Sequence, residues 1–133
     1  MSQSNASERI ARAVQQRLLR AFHADLPSPP ERILVGFSGG ADSLALALMF
    51  ARIAPAIPST VDLVHVDHRL RPDSGEDAES ARALAATIGL PFLLRTVQGN
   101  VRSVHPGVGL EEAARRERYR LLAAECGPGD IVA

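Results

Sequence analysis

The chain has 133 residues, 46% of them apolar and 23% charged, which is enough for one core and too little for two domains. Its fifteen basic residues balance fifteen acidic ones, so charge alone gives no support for a broad nucleic-acid surface. The composition excludes wholesale disorder, collagen-like repeats and a coiled coil.

Residues 1–6 are small and polar. Ser7 to about His23 reads as a helix, because Ile10, Val14, Leu18, Ala21 and Phe22 recur at a spacing of three to four; Ser7 suits its N-cap. The run Leu26-Pro27-Ser28-Pro29-Pro30 breaks that helix. From Arg32 a regular alternation begins. Ile33–Phe37 is a short apolar run, as expected of a strand buried on both faces. The loop Ser38-Gly39-Gly40-Ala41-Asp42 leads into a helix from Ser43 to about Ile53. Val61–Asp67 is a second strand, and 68–75 a loop. Glu76–Ile88 is a second helix, closed by Gly89. Phe92–Val97 is a third strand, 98–109 a glycine-containing loop and Leu110 to about Cys126 a third helix. Asp130–Ala133 reads as the opening of a fourth strand. Strands alternating with helices predict right-handed βαβ units: an α/β, doubly wound, Rossmann-like parallel sheet with flanking helices. The expected division is a leading helix and linker over 1–31 and a βαβαβα core over 32–133. Because the chain stops as a strand opens, the expectation is the N-terminal part of one domain, incomplete at its C-terminus.

Every basic residue is arginine, which removes Schiff-base lysine chemistry and a lysine-bearing phosphate loop. The single Cys126 excludes an internal disulfide and a Cys-rich zinc site. No apolar run approaches bilayer length, the longest being Leu44–Ala51, and the N-terminus lacks a secretory h-region. The expected setting is therefore cytoplasmic, with no membrane partner.

The most informative segment is Phe37-Ser38-Gly39-Gly40-Ala41-Asp42-Ser43, placed between a strand and a helix N-terminus. Adjacent glycines let backbone amides converge and a ligand approach closely, and the helix end adds partial positive charge. Ser38 and Ser43 add hydroxyls. Such a loop predicts a cradle for phosphate or pyrophosphate, formed by Ser38, Gly39, Gly40, Ala41, Asp42 and Ser43. Asp42 would repel a bare phosphate, which points to a bridging divalent cation, Mg²⁺, bound by Asp42. A plain Gly-Gly turn with Ser43 or Asp42 as N-cap is the alternative.

The Ser-Gly-Gly-x-Asp-Ser string resembles the fingerprint of the PP-loop ATP pyrophosphatases. That resemblance implies ATP as cosubstrate, attack of an acceptor oxygen on the α-phosphorus and loss of pyrophosphate. Two further stretches narrow it. One runs from His65-Val66-Asp67-His68-Arg69-Leu70-Arg71 to Glu79; the other is Leu110-Glu111-Glu112-Ala113-Ala114-Arg115-Arg116-Glu117-Arg118-Tyr119-Arg120. Both look like the N-terminal domain of the tRNA(Ile)-lysidine synthases, in register from about Ile33 onward. The resemblance implies a tRNA-modifying ligase that adenylates the wobble cytidine of tRNA(Ile) and joins free lysine to it. The implied partners are tRNA(Ile) and lysine, with room left for a homodimer. Other PP-loop enzymes, a tRNA thiolase or an amide-forming synthetase, stay open, as does a non-catalytic nucleotide-binding fragment.

The residues of these stretches carry their own readings. His65 and His68 at a strand end suit either a ligand or a structural role. Asp67 suits a ribose contact or a loop cap. On the third helix, at 100° per residue, Leu110, Ala114, Leu121 and Leu122 share an arc that includes Glu111 and Arg118 and has Arg115 at its edge. A Glu111–Arg115 pair would explain that arginine structurally. The family pattern instead implies a catalytic Arg115, which with Asp42 completes the expected catalytic pair.

Overall fold

In the computed structural model, which describes residues 6, 8–10, 12–17, 20 and 30–133 (Arg102 by its backbone alone), the apolar runs form one parallel sheet. Its strands are β1 (Arg32–Gly36), β2 (Thr60–Asp67), β3 (Phe92–Thr96) and β4 (Asp130–Val132), in the order β3-β2-β1-β4. Ile33 pairs with Val61 and Ile131, and Val35 with Leu63, so the two inner strands stack branched side chains in register.

After β1, the sheet is flanked by α1 (Ala41–Ile53), α2 (Ser74–Ile88), α3 (Val101–Val104) and α4 (Leu110–Glu125). Strand alternation divides the core into two faces. Ile33, Val35, Val61 and Leu63 pack with Ala47, Phe50 and Ile53 of α1 and with Ala81 and Ala85 of α2. The alternate residues Leu34 and Val64 pack on the other face with Leu122 of α4. Helices on both faces of a parallel sheet are the doubly wound arrangement.

Several boundaries differ from the sequence reading. α1 begins at Ala41, not Ser43, because Gly40 takes the cap position in extended backbone, φ −75° and ψ 170°. α2 begins at Ser74, ahead of Glu76, and ends as expected on Gly89 at φ +88°. The loop 98–109 contains α3, a turn of helix in which Val101 is buried with Val97 and Ala113. Apolar residues four apart, Val97 and Val101, are the signal for it. Of the leading helix, the described residues are helical. Val14 packs on the α1–α2 face of the core and Glu8 reaches Arg52 at 3.4 Å. Ile10, expected inward, is 55% exposed. Ser7, Leu18, Ala21, Phe22 and the proline run 26–29 lie outside the described residues.

Arg32, the first residue of β1, fastens the sheet. It donates to Asp130 of β4 at 2.9 Å, to Asp62 of β2 at 3.4 Å and to the Glu125 carbonyl at 2.8 Å.

Candidate functional site

From β1 the chain steps outward to β2 and β3, then returns to place β4 on the other side of β1. That reversal makes a crevice outside the carboxyl ends of β1 and β4, the place where ligands enter open α/β sheets. A cleft of about 810 Å³ opens there. Its walls include Ser38, Asp42 and Ser43 of the glycine loop, and His65 and Asp67 at the end of β2. Arg118 and Tyr119 of α4 also line it.

The glycine loop is closed by its own hydroxyls. Ser43 Oγ donates to the Gly40 carbonyl at 3.2 Å. A hydroxyl has one proton, so Ser38 must be the donor in the 3.0 Å contact between the two Oγ atoms. The Ser38 and Gly40 amides donate to Ser43 Oγ and Ser38 Oγ, each at 3.2 Å. Both serine protons are thus used to shape the loop. An anion would meet mainly the first-turn amides of α1, whose N-terminus has no side-chain cap. Gly39 sits at φ +87°, a left-handed conformation that disfavours any side chain. A Cβ there would meet only Ala81 at 3.9 Å, so backbone conformation, not crowding, selects glycine.

At the end of β2, His65 is buried and its Nδ1 donates to the Phe37 carbonyl at 2.8 Å. Its ring also stacks on Phe92, with centroids 6.2 Å apart. The donation places a proton on Nδ1. His65 therefore anchors the residue that precedes the glycine loop. Asp67 caps the following turn, accepting from the Arg69 amide at 2.9 Å, and Arg69 adopts φ +57°. His68 is different: its Nδ1 is buried with no hydrogen-bond partner. Burial, with the Arg118 charge adding to it, holds the imidazole below its ordinary pKa and so favours the neutral form.

The stripe of α4 that faces the protein is rotated from the predicted arc. Ala113, Glu117 and Leu122 are buried, whereas Leu110 is 36% exposed and Glu111 and Arg118 are exposed. The Glu111–Arg115 pair does not form. Arg115 pairs with Glu112 at 3.5 Å, and Glu112 also takes Arg116 at 3.1 Å. Arg115 and Arg118 flank the Tyr119 ring at 5.3 and 5.5 Å. Hydrogen bonding to the Arg115 guanidinium, then its charge, with the same two effects from Arg118 following, holds the phenol below its ordinary pKa. Arg118 and Tyr119 line the cleft with the glycine loop; Arg115 does not.

Sequence reasoning missed Glu117. It is fully buried, yet its carboxylate accepts from His105 Nε2 at 2.9 Å and takes Arg120 as a two-pronged pair at 2.8 Å. These bonds, against the opposing cost of burial, hold its carboxyl down at about 2. An acidic residue four after Ala113 and three before Arg120 was the available signal.

Among the described residues no three His, Cys, Asp or Glu side chains converge as a metal site. Magnesium needs less from a protein, since it is held by one or two carboxylates together with substrate phosphates and water. Asp42, an exposed carboxylate in the first turn of α1, suits that mode.

A sequence model of the PP-loop domain matches residues 6–133. A tRNA(Ile)-lysidine synthase of Methylobacterium sp. (strain 4-46) is 43% identical over 103 residues, which is 75% of this chain and 28% of that protein. Its counterpart from Mycolicibacterium paratuberculosis is 41% identical over 126 residues, 93% of this chain and 34% of that one. The chain thus spans about a third or less of these relatives' length. Two solved structures share the fold. The NH3-dependent NAD synthetase of Campylobacter jejuni has a TM-score of 0.66 at 20% identity, covering 93% of this chain and 52% of that one. The U34-tRNA thiolase of Methanococcus maripaludis has a TM-score of 0.64 at 16% identity, covering 94% and 46%.

Proposed function

The chain belongs to the PP-loop domain family, and from that premise we propose that its cleft binds ATP with the pyrophosphate on residues 38–43, as part of a tRNA(Ile)-lysidine synthase. The observation that carries this reading is the loop itself. Its hydroxyls are turned inward, its glycine backbone is left-handed at Gly39, and an uncapped helix end opens into the cleft at the topological switch point.

In the proposed reaction the O2 oxygen of the wobble cytidine attacks the α-phosphorus of ATP. The bond to the β-phosphate oxygen breaks and pyrophosphate leaves. The side-chain amine of lysine then adds to C2, a proton is lost, and AMP departs with the oxygen. The amides of α1 hold the departing pyrophosphate, where developing negative charge gains most from fixed dipoles. Mg²⁺, held by Asp42 and the phosphates, would neutralise charge on that group. Arg118, inside the cleft, is assigned to charge developing at the α-phosphate. Arg115, outside it and 59% exposed, is assigned to the tRNA backbone, keeping Tyr119 and Arg118 in place through the shared ring. His65 holds the Phe37 carbonyl and with it the entry to the loop. The proposed setting is the cytoplasm, where tRNA, ATP and lysine meet.

Nucleoside mass spectrometry tests the reading. After incubation with ATP, lysine and tRNA(Ile), the protein as its host makes it should convert the wobble cytidine to its lysine adduct, with isotopically labelled lysine carried into the nucleoside. An unchanged cytidine under conditions where ATP is consumed would assign the chain to another PP-loop reaction.

A further inference from the structure

The buried residues of α4 are Ala113, Glu117 and Leu122. Ala113 packs with Val66, Val97 and Val101, and Leu122 with Leu34 and Val64. These two apolar contacts lie about two and a half turns apart. Between them the helix buries a carboxylate, with Ala114 and Leu121 only partly covered beside it. Burying a carboxylate costs free energy that an apolar side chain of similar volume would not. What the carboxylate adds is direction: its bonds stretch or break on a small rotation, whereas apolar contacts can slide.

Glu117 Oε1 accepts from Arg120 Nε at 2.8 Å and from His105 Nε2 at 2.9 Å, and Oε2 accepts from Arg120 Nη2 at 2.8 Å. Arg120 lies on α4 itself, so its fork does not fix where the helix points. Of these three bonds, the one from His105 leaves α4. His105 is in turn held by its own segment. Its amide donates to the Val101 carbonyl at 3.1 Å, and Val101 is buried against Val97 and Ala113. The ring thus reaches Glu117 from a turn already packed on the core.

Arg118 follows Glu117 and is turned about 100° from it around the helix axis. It lines the cleft with Tyr119, whereas neither His105 nor Glu117 does. A rotation fixed at Glu117 is therefore fixed at Arg118. We propose that His105 and Glu117 are positioning residues for the adenylation step: without touching substrate, their bond sets the rotation of α4 that presents Arg118 to the cleft. The inference rests on the role proposed above for Arg118 and extends it to two residues outside the cleft.

Steady-state pyrophosphate release tests this, measured on the protein as its host makes it with ATP, lysine and tRNA(Ile). His105→Phe keeps a ring and removes the N–H donor; His105→Gln keeps an amide donor near the Nε2 position. His105→Phe should lower kcat about tenfold, since a small misplacement of a charge-stabilising group is enough, and should leave KM for ATP within about twofold. His105→Gln should restore most of that loss. In an Arg118→Ala background His105→Phe should have no further effect on kcat, because its route to the chemistry is gone. An unchanged kcat in His105→Phe, no recovery in His105→Gln, or effects that multiply in the double variant would each reduce the bond to packing and overturn the proposal, with the reading of the cleft intact. If Arg118→Ala alone does not lower kcat, or wild-type protein releases no pyrophosphate, the reading of the cleft fails and the proposal falls with it. Assays are run at a temperature where melts show every variant folded. Should His105→Phe not fold, Glu117→Gln, which keeps the side-chain volume, takes its place in the same comparison.

Discussion

Glu117→Gln tests whether a buried charge holds the α4 wall of the site. Glu117 has no exposed surface, and its carboxylate meets His105 and Arg120 at 2.8–2.9 Å. Its carboxyl titrates at about 2 in the fold, against 4.5 ordinarily. That difference corresponds to about 3 kcal/mol of pH-dependent stabilisation. The Arg120 partner is 55% exposed, so on losing the carboxylate its guanidinium returns to water at little cost. Glutamine also retains the volume and one acceptor. The expected loss at neutral pH is therefore about 2–3 kcal/mol, below the range for stranding a fully buried charge. Because the folded pKa is lowered, the stabilisation is complete above pH 4.5 and disappears as pH falls toward 2. Urea denaturation of wild type and variant between pH 7 and pH 3 should give curves that converge on acidification. Parallel curves, or equal stability at pH 7, would refute the assignment of α4's anchorage to this charge.

Asp42→Asn should reduce Mg²⁺-dependent pyrophosphate release by ~10²-fold, with nucleotide binding in EDTA retained; an equal loss in EDTA would make the residue structural. Arg118→Ala should lower kcat by ~10²-fold with an unchanged melting temperature, whereas Arg115→Ala should chiefly raise KM for tRNA. Steady-state kinetics that reverse this order would exchange the two roles. Gly39→Ala should cost about 1–2 kcal/mol from its left-handed backbone alone and weaken ATP binding. Calorimetric titration showing normal affinity would mean that the loop tolerates a different path.

The elements legible in the sequence were those whose periodicity is set by a core. β1 and β2 read correctly because burial on both faces demands an apolar run, and α2 because Ala78, Ala81 and Ala85 recur on one face and Gly89 stops the helix. The PP-loop family and the doubly wound sheet were legible for the same reason: the loop follows a strand and precedes a helix. The register of α4 was not legible. Its buried stripe is centred on a glutamate, and a hydropathy arc places glutamate outward; only the partners His105 and Arg120, one of them in a loop, make the burial affordable. The inward use of the Ser38 and Ser43 hydroxyls was equally hidden, since it depends on distances within a turn. Arg115 and Arg118 sit in the same sequence pattern, and only the helix's rotation places Arg118 in the cleft.

The most direct test of the account is the fate of ATP labelled at the α-phosphate, followed with the protein as its host makes it, lysine and tRNA(Ile). The account predicts labelled AMP, with one pyrophosphate for each lysine joined, and loss of both products in Asp42→Asn. Labelled ADP with free phosphate, or pyrophosphate release indifferent to Asp42, would contradict the assignment of residues 38–43 as a pyrophosphate cradle.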